Sequence, residues 1–307
     1  MPFVATLATA IALVSLAAFF GRYWWLFDLA ANFRAHMAAV LVTAALMLAL
    51  GRWYRTALVV GLVAALNTAA VLPLFIGPTA RPETTDLRVM SFNLLSDNTN
   101  YDEVIGFIAA EDPDVVVLHE ASRPWEEALE AANLDYEITR GRTDDLIFGS
   151  LVLARPGSEV RSFGFQISDP RAIEVVLPSG VAVLGIHPLA PFPDDQTERR
   201  RFQFEFASLW AAAHEGPRVI VGDFNASPWS DSFRRLRTDT GLHNSQSGYG
   251  LELSYPAQAS PLLQVSIDHL LHSDDLAVAD RRLGPALGSD HLALVVDLSL
   301  LDPRTPG

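Results

Sequence analysis

The chain has 307 residues, no cysteine, and 22 basic residues, all of them arginine. Disulfides, thiolate metal sites, cysteine nucleophiles, a Schiff-base lysine and a P-loop lysine are therefore excluded. Of the net charge of −14, residues 1–80 carry +3 (Arg22, Arg34, Arg52 and Arg55 against Asp28), which leaves −17 for the rest. Nucleic-acid affinity draws on basic side chains that release counterions, so a domain this acidic is a poor general DNA binder.

Three apolar runs fill the first quarter: Phe3 to Phe20, Ala35 to Leu50 and Thr56 to Ile76. A spanning helix needs about 20 mainly apolar residues. The first and third runs meet that length, and the second reaches it by borrowing Leu29 to Phe33 and tilting. Tyr23, Trp24, Trp25, Phe27, Trp53 and Tyr54 sit at the run ends, where aromatic rings settle at the headgroup level. Met1-Pro2-Phe3-Val4 lacks the basic start of a secretory signal. The pattern predicts a membrane domain of three transmembrane helices over residues 1–76. The loop Gly51-Arg52-Trp53-Tyr54-Arg55 is positive and has no acid, which assigns it to the cytoplasm and the C-terminal part to the extracytoplasmic side.

Gly77 to Asp86 reads as a linker, rich in breakers. Beyond it, over residues 87–301, short apolar strands alternate with helices. Strands are expected at Leu87–Phe92, Asp114–Leu118, Leu146–Ala154, Ile173–Leu177, Val181–Ile186, Arg218–Val221, Leu263–Leu271, Leu276–Asp280 and Leu292–Leu298. Helices are expected at Tyr101–Ala110, Arg123–Ala132 and Ser230–Arg237. A longer one is expected from Asp194 to His214, capped by Asp194, with Phe202, Phe206, Leu209 and Trp210 inward. Many strands joined by short turns favour an α+β sandwich of two packed, mainly antiparallel sheets with outer helices over a doubly wound sheet. The clusters Arg199-Arg200-Arg201 and Arg234-Arg235 read as solvated helix faces, or as local positive charge for a polyanion.

The strongest polar residues stand just past strand ends: Asn93, Glu120, His187, Asp223 with Asn225, Asp268, and Asp290 with His291. Carboxylates, amides and imidazoles aimed at one point suit a divalent metal and a phosphate. The motifs Ser91-Phe92-Asn93, Pro113 to Glu120, Gly185-Ile186-His187, Gly222-Asp223-Phe224-Asn225, Ser266-Ile267-Asp268-His269 and Gly288-Ser289-Asp290-His291 carry a resemblance over Arg88 to Leu298. In that order they resemble the endonuclease/exonuclease/phosphatase superfamily, the deoxyribonuclease I-like fold, here as a membrane-anchored bacterial-type member.

The resemblance implies a four-layer sandwich and phosphoester hydrolysis with a divalent metal, Mg²⁺ or, as an alternative, Mn²⁺. It implies Glu120 as principal metal ligand, with Asn93 and Asp290 on the metal side. Asp223 corresponds to the residue that orients or deprotonates the attacking water, and Asn225 to a phosphate contact that helps hold Asp223. His291 corresponds to the histidine facing the phosphate, Asp268 to its orienting carboxylate, and His187 to a second histidine set against the phosphate. Whether Asp223 or His291 is the base stays open at this point. His119 replaces the family's usual glutamine and, by strand alternation, points away from Glu120. His269 points away from Asp268 for the same reason. The implied substrate is a phosphodiester, nucleic acid or phospholipid headgroup, next to a lipid bilayer. The alternatives are a phosphomonoesterase and a non-catalytic membrane-anchored binding protein that reuses the fold.

Overall fold

The computed structural model describes residues 1–78, 81–141, 149–164, 172–191 and 195–301. Residues 146–148 of the strand expected from Leu146, the expected cap Asp194, and residues 79 and 80 lie outside them.

The apolar first quarter is helical: α1 (Pro2–Ala17), α2 (Trp25–Ala31), α3 (Arg34–Leu50) and α4 (Tyr54–Val71). Turns of 3-10 helix at Ala18–Tyr23 and Leu72–Phe75 extend α1 and α4. Small residues let the helices approach closely. Ala5, Ala8 and Ala12 of α1 cluster with Leu41, Ala44 and Leu48 of α3 and with Ala57, Val60 and Ala64 of α4. Large apolar side chains such as Leu13, Leu46, Leu58 and Leu62 face outward. Small residues inside and large apolar ones outside is the pattern of helices packed in lipid.

Pro2–Tyr23 and Tyr54–Phe75, 22 residues each, are long and apolar enough to cross a membrane. A third span results only if α2 and α3 count as one, and that pair is bent by 69°. The second run therefore does not continue straight into Leu29–Phe33. The break has a cause on each side. Asn32 turns its side chain out of the bundle to accept from the Ser227 N–H at 3.0 Å. Arg34 turns inward, donating to Asn67 Oδ1 at 2.8 Å with its guanidinium 3.7 Å from the Phe19 ring centre.

From Leu87 onward the chain builds two six-stranded sheets. The strands are β1 (Leu87–Asn93), β2 (Val115–His119), β3 (Glu137–Arg140), β4 (Leu151–Ala154), β5 (Glu159–Phe163) and β6 (Ala172–Val176). They continue with β7 (Ala182–Ile186), β8 (Arg218–Asp223), β9 (His243–Asn244), β10 (Asp268–His272), β11 (Leu276–Leu283) and β12 (Leu294–Leu300). One sheet runs β11-β12-β1-β2-β4-β3 and the other β5-β6-β7-β8-β10-β9. Among the described residues, only β1–β2 and β7–β8 pair in parallel; the other pairings are antiparallel. The helices are α5 (Tyr101–Glu111), α6 (Arg123–Ala131), α7 (Asp195–Ala213) and α8 (Asp231–Thr240).

Strand alternation sorts the side chains into layers. Val115 and Val117 of β2 join Val219, Val221 and Leu294 between the sheets. Val116 and Leu118 face Val104, Ile108 and Trp125 of α5 and α6. Ile220 and Leu271 face Phe204, Trp210 and Phe233 of α7 and α8. The result is an α+β sandwich of four layers, as the sequence implied.

Two expectations are corrected, and three strands were not expected. Phe202 and Leu209 of α7 are exposed; the inward stripe is Phe204, Ala207, Trp210 and Ala211, with Phe206 packed partly against it. The strand expected from Leu263 begins only at Asp268, because Leu262 and Leu263 lie on an exposed turn. The short strands β3, β5 and β9 lack the apolar runs that mark the others.

The helical bundle sits against one end of the sandwich. Asp231 N–H, at the start of α8, donates to Asp28 Oδ1 at 2.7 Å, and Trp229 Nε1 donates to the Ala70 carbonyl at 3.0 Å. Gly248 and Gly250 N–H both reach the Leu74 carbonyl at 2.8 Å. Ala18, Ala31, Ala35, Met37, Val71 and Leu74 close an apolar seam around Trp229. Arg81, in the expected linker, lies over the Tyr249 ring at 3.7 Å. Asp28 thus caps α8 from outside the sandwich. Asp28→Ala leaves that helix-start N–H without its acceptor and is expected to cost about 1–2 kcal/mol. A lower thermal midpoint of the detergent-solubilised protein checks this, and an unchanged midpoint rejects the cap.

Candidate active site

The parallel strands β1, β2, β7 and β8 all end at the same edge of the sandwich, and their last residues meet there. Asn93 closes β1, Glu120 follows β2, His187 follows β7 and Asp223 closes β8. Antiparallel β10 begins at that edge with Asp268, paired to Asp223. The loop before β12 adds Asp290 and His291.

Two backbone features aim these groups. Glu120 adopts φ 53° and Asn225 φ 48°, left-handed conformations that turn each side chain out of the strand direction. Gly222 permits a close strand approach: a Cβ there would lie 1.9 Å from the Ile186 carbonyl oxygen. The Gly288–His291 turn is sewn to the end of β1, since Ser289 Oγ donates to the Asn93 carbonyl at 2.6 Å and accepts from His291 N–H at 3.0 Å.

Asp223 is the hub. Its Oδ1 accepts from Asn225 N–H at 2.8 Å and its Oδ2 from Asn93 Nδ2 at 3.1 Å. His187 Nε2 lies 3.4 Å and His291 Nε2 3.6 Å from the same Oδ2. Asn93 Nδ2 also reaches Glu120 Oε1 at 3.1 Å, while its own Oδ1 accepts from Leu95 N–H. Asn93 therefore presents its amide hydrogens, rather than its oxygen, to the two carboxylates. His291 Nδ1 bonds Asp268 Oδ2 at 2.9 Å. Asn225 Nδ2 donates to the Pro188 carbonyl, tying the loop after β8 to the loop after β7. All eight residues singled out in the sequence are thus gathered at one edge, Asp290 half-buried beside the others.

Electrostatics set their charge states. Burial alone lowers the His291 pKa, but the Asp268 and Asp223 carboxylates outweigh it and raise it to about 10. His187 is also raised, Asp223 overcoming the cost of burial. Burial lifts the Asp223 carboxyl, but the two imidazoles reverse this and hold it well below the usual range. Burial lifts the Asp268 carboxyl against the pull of His291; with the imidazole raised so far, the shared proton rests on His291. Burial, joined by Glu120 and Asp223, raises Asp290 against the pull of His291.

The donor set fits a hard dication. Among the described residues neither Glu120 nor Asp290 is in ion-pair contact with a basic side chain, and the two carboxylates feel each other's charge, which leaves them available to a cation. Asp223, Asp268 and His291 also bring ligand atoms within 4.8 Å of one another. An ion among those three would displace the His291–Asp268 hydrogen bond, so Glu120 with Asp290 is the better-suited pair.

The sequence reading left four contributors without a role. His119 follows Val115 and Val117 into the space between the sheets, 5.1 Å ring to ring from His187, and burial holds it neutral, well below the usual imidazole value. Its ring supports this edge from beneath through His187. The Tyr255 ring lies 4.6 Å from His291. Gly222 is the close approach described above. Arg200 is no solvated face: it is buried and donates to the carbonyls of Leu189, Phe224 and Asn225 and to Ser232 Oγ. Its position on the Phe204, Ala207, Trp210 stripe, one turn earlier, was a usable signal. His269 is structural as expected, its Nε2 bonded to the Ala226 carbonyl between Phe224 and Phe233.

This architecture, with acid, amide and imidazole at one sheet edge, defines a deoxyribonuclease I-like phosphoesterase. The family model for the Endonuclease/Exonuclease/phosphatase family matches residues 90–291, and the chain belongs to that family. No curated protein matches the chain. Similar solved structures include an AP endonuclease from Archaeoglobus fulgidus at 16% identity and TM-score 0.59, covering 70% of this chain and 100% of that one. D. rerio TDP2 complexed with a single-strand DNA product aligns at 15% identity and TM-score 0.55, covering 69% and 98%. A mannosyl-6-phosphatase of Bacteroides thetaiotaomicron aligns at 16% identity and TM-score 0.53, covering 70% and 100%. These likenesses show the fold; together with the family they support a phosphoesterase or nuclease-like hydrolase.

The raised His291 value has a definite sign. Its stabilising contribution is complete below the ordinary imidazole value of 6.5 and is lost as pH climbs through about 10. Thermal stability is expected to fall across that window. Asp268→Asn should flatten the fall and move the alkaline limb of the pH–rate profile down toward 6.5. An alkaline limb unmoved in Asp268→Asn rejects this account.

Proposed function

We propose that the protein is a membrane-anchored phosphodiesterase that depends on a divalent metal. Residues 1–76 form the membrane domain, 77–86 the linker and 87–301 the catalytic domain. The observation that carries the reading is the convergence of Asn93, Glu120, His187, Asp223 and the His291–Asp268 pair on one edge.

Glu120 and Asp290 would hold the metal, Mg²⁺ or Mn²⁺, with Asn93 fixing the Glu120 carboxylate. When bound, the metal supplies Lewis acidity at a phosphoryl oxygen. Asp223 stays anionic and holds the attacking water by accepting its hydrogen bond. His291 keeps its proton at neutral pH, which makes it a charge donor to the phosphoryl oxygens and leaves the base role to Asp223. His187 donates beside it, and Asp268 fixes the His291 rotamer. Asn225 locks Asp223 in place through its backbone N–H.

The Arg52–Arg55 loop lies at the bundle end away from the sandwich: Met1, which begins α1, packs on Gly51 there, while the C-terminal ends of α1 and α4 meet the sandwich. With the positive loop in the cytoplasm, the catalytic domain faces the extracytoplasmic side. The substrate is a phosphodiester, nucleic acid or lipid headgroup.

Detergent-solubilised protein should hydrolyse a bis-aryl phosphate with Mg²⁺ or Mn²⁺ and lose that activity in EDTA. Glu120→Ala and His291→Ala should each lower kcat by about 10²-fold or more while the protein stays folded. Full activity in chelator, or in either folded variant, rejects the reading.

A further inference from the structure

The catalytic edge and the apolar bundle share one surface. Among the described residues, several polar contacts joining the two parts fall on the loop that follows Asp223. Ser227, which donates to Asn32, is four residues beyond Asp223. Four residues of extended chain span at most about 14 Å. Asp223 therefore lies within that reach of Ser227, which bonds Asn32 at the end of α2, the helix bent 69° away from α3. If α3 runs across the bilayer, α2 lies nearer the bilayer plane, with Trp24 and Leu26 exposed along it.

The loop from Tyr255 to Val265 makes the connection a second time. Its ends pair in an antiparallel bridge. Gln264 staples its interior, the side-chain amide reaching the carbonyls of Pro256, Ala257 and Ala259 at 3.2 Å each. On one flank Tyr255 lies against His291, Ala257 N–H donates to the Asp290 carbonyl at 2.7 Å and Gln258 donates to the Ser289 carbonyl. On the other, the Pro261 carbonyl lies 3.4 Å from His36 Nε2, in the first turn of α3. At its tip Leu262 is 77% and Leu263 62% exposed. A braced loop that presents two leucines beside both the catalytic histidine and the start of an apolar helix suits insertion into lipid.

We infer that the site is built to hydrolyse phosphodiesters in lipid headgroups at the bilayer surface, with Leu262 and Leu263 dipping into the acyl boundary. The inference rests on the proposed membrane-anchored phosphodiesterase. Water oxygen bonds to phosphorus, one ester P–O bond breaks, and the departing oxygen takes the proton, giving an alcohol and a phosphomonoester. A lipid phosphate lies at the same bilayer surface that would take up Leu262 and Leu263. A nucleic acid would have to enter between a bilayer and a domain that carries −17.

The test uses the full chain reconstituted in vesicles of phosphatidylcholine, phosphatidylglycerol and sphingomyelin. Lipid alcohols and phosphomonoesters released are measured beside turnover of bis-aryl phosphate and of single-stranded DNA. The lipid arm is expected to proceed and DNA turnover to be minor. Leu262→Ser/Leu263→Ser should lower the vesicle rate about tenfold relative to its own rate on bis-aryl phosphate. Turnover of bis-aryl phosphate without lipid cleavage, an unchanged ratio in the double variant, or preferred hydrolysis of DNA overturns the lipid assignment and leaves the phosphodiesterase standing. No turnover of bis-aryl phosphate with either metal overturns the parent reading, and failure of the protein to float with the vesicles overturns the anchor.

Discussion

A carboxylate buried between two imidazoles holds this site together. Asp223 sits at the end of β8, where the two sheets meet, and it is nearly inaccessible. An isolated buried carboxylate would take up a proton rather than stay charged. Here Asn93, the Asn225 N–H, His187 and His291 all address it, and it stays anionic. The same contacts keep His291 protonated, backed by Asp268. Each ion needs the others, so the strands that deliver them must hold register to within a hydrogen-bond length.

That constraint reaches beyond the sandwich. The loop after Asp223 is clamped from behind by Arg200, which binds the carbonyls of Phe224 and Asn225. From the other side Asp28 and Asn32 bind its N–H groups at Asp231 and Ser227. The helical bundle therefore helps support the loop that follows Asp223. A hydrophobic tail serving only as a tether has no need of two polar side chains aimed at that loop.

Much of this was legible in the sequence, for physical reasons. Short apolar strands ending in acid, amide or imidazole mark the edge where these side chains converge, because strand ends are rigid and aim their side chains. Asn93, Glu120, Asp223 and His291 could be read that way residue by residue. Arg199-Arg200-Arg201 reads as one run of like charge, and only the helical register that Arg200 shares with Phe204 and Ala207 marks which of the three turns inward. Tyr255 and the Leu262–Leu263 turn were hidden for a related reason. The expected strand from Leu263 is apolar in composition, yet Gln264 folds it into a loop through contacts that no periodicity encodes. The bend between α2 and α3 was hidden because Asn32 and Arg34 bond to partners far along the chain.

The most direct test of the buried ion cluster is the side-chain ¹⁵N spectrum of His291 in labelled, detergent-solubilised protein, assigned by comparison with His291→Gln. At about pH 8, between the ordinary 6.5 and about 10, both ring nitrogens are expected to carry hydrogen. A neutral imidazole at that pH would contradict the charge arrangement on which the account rests.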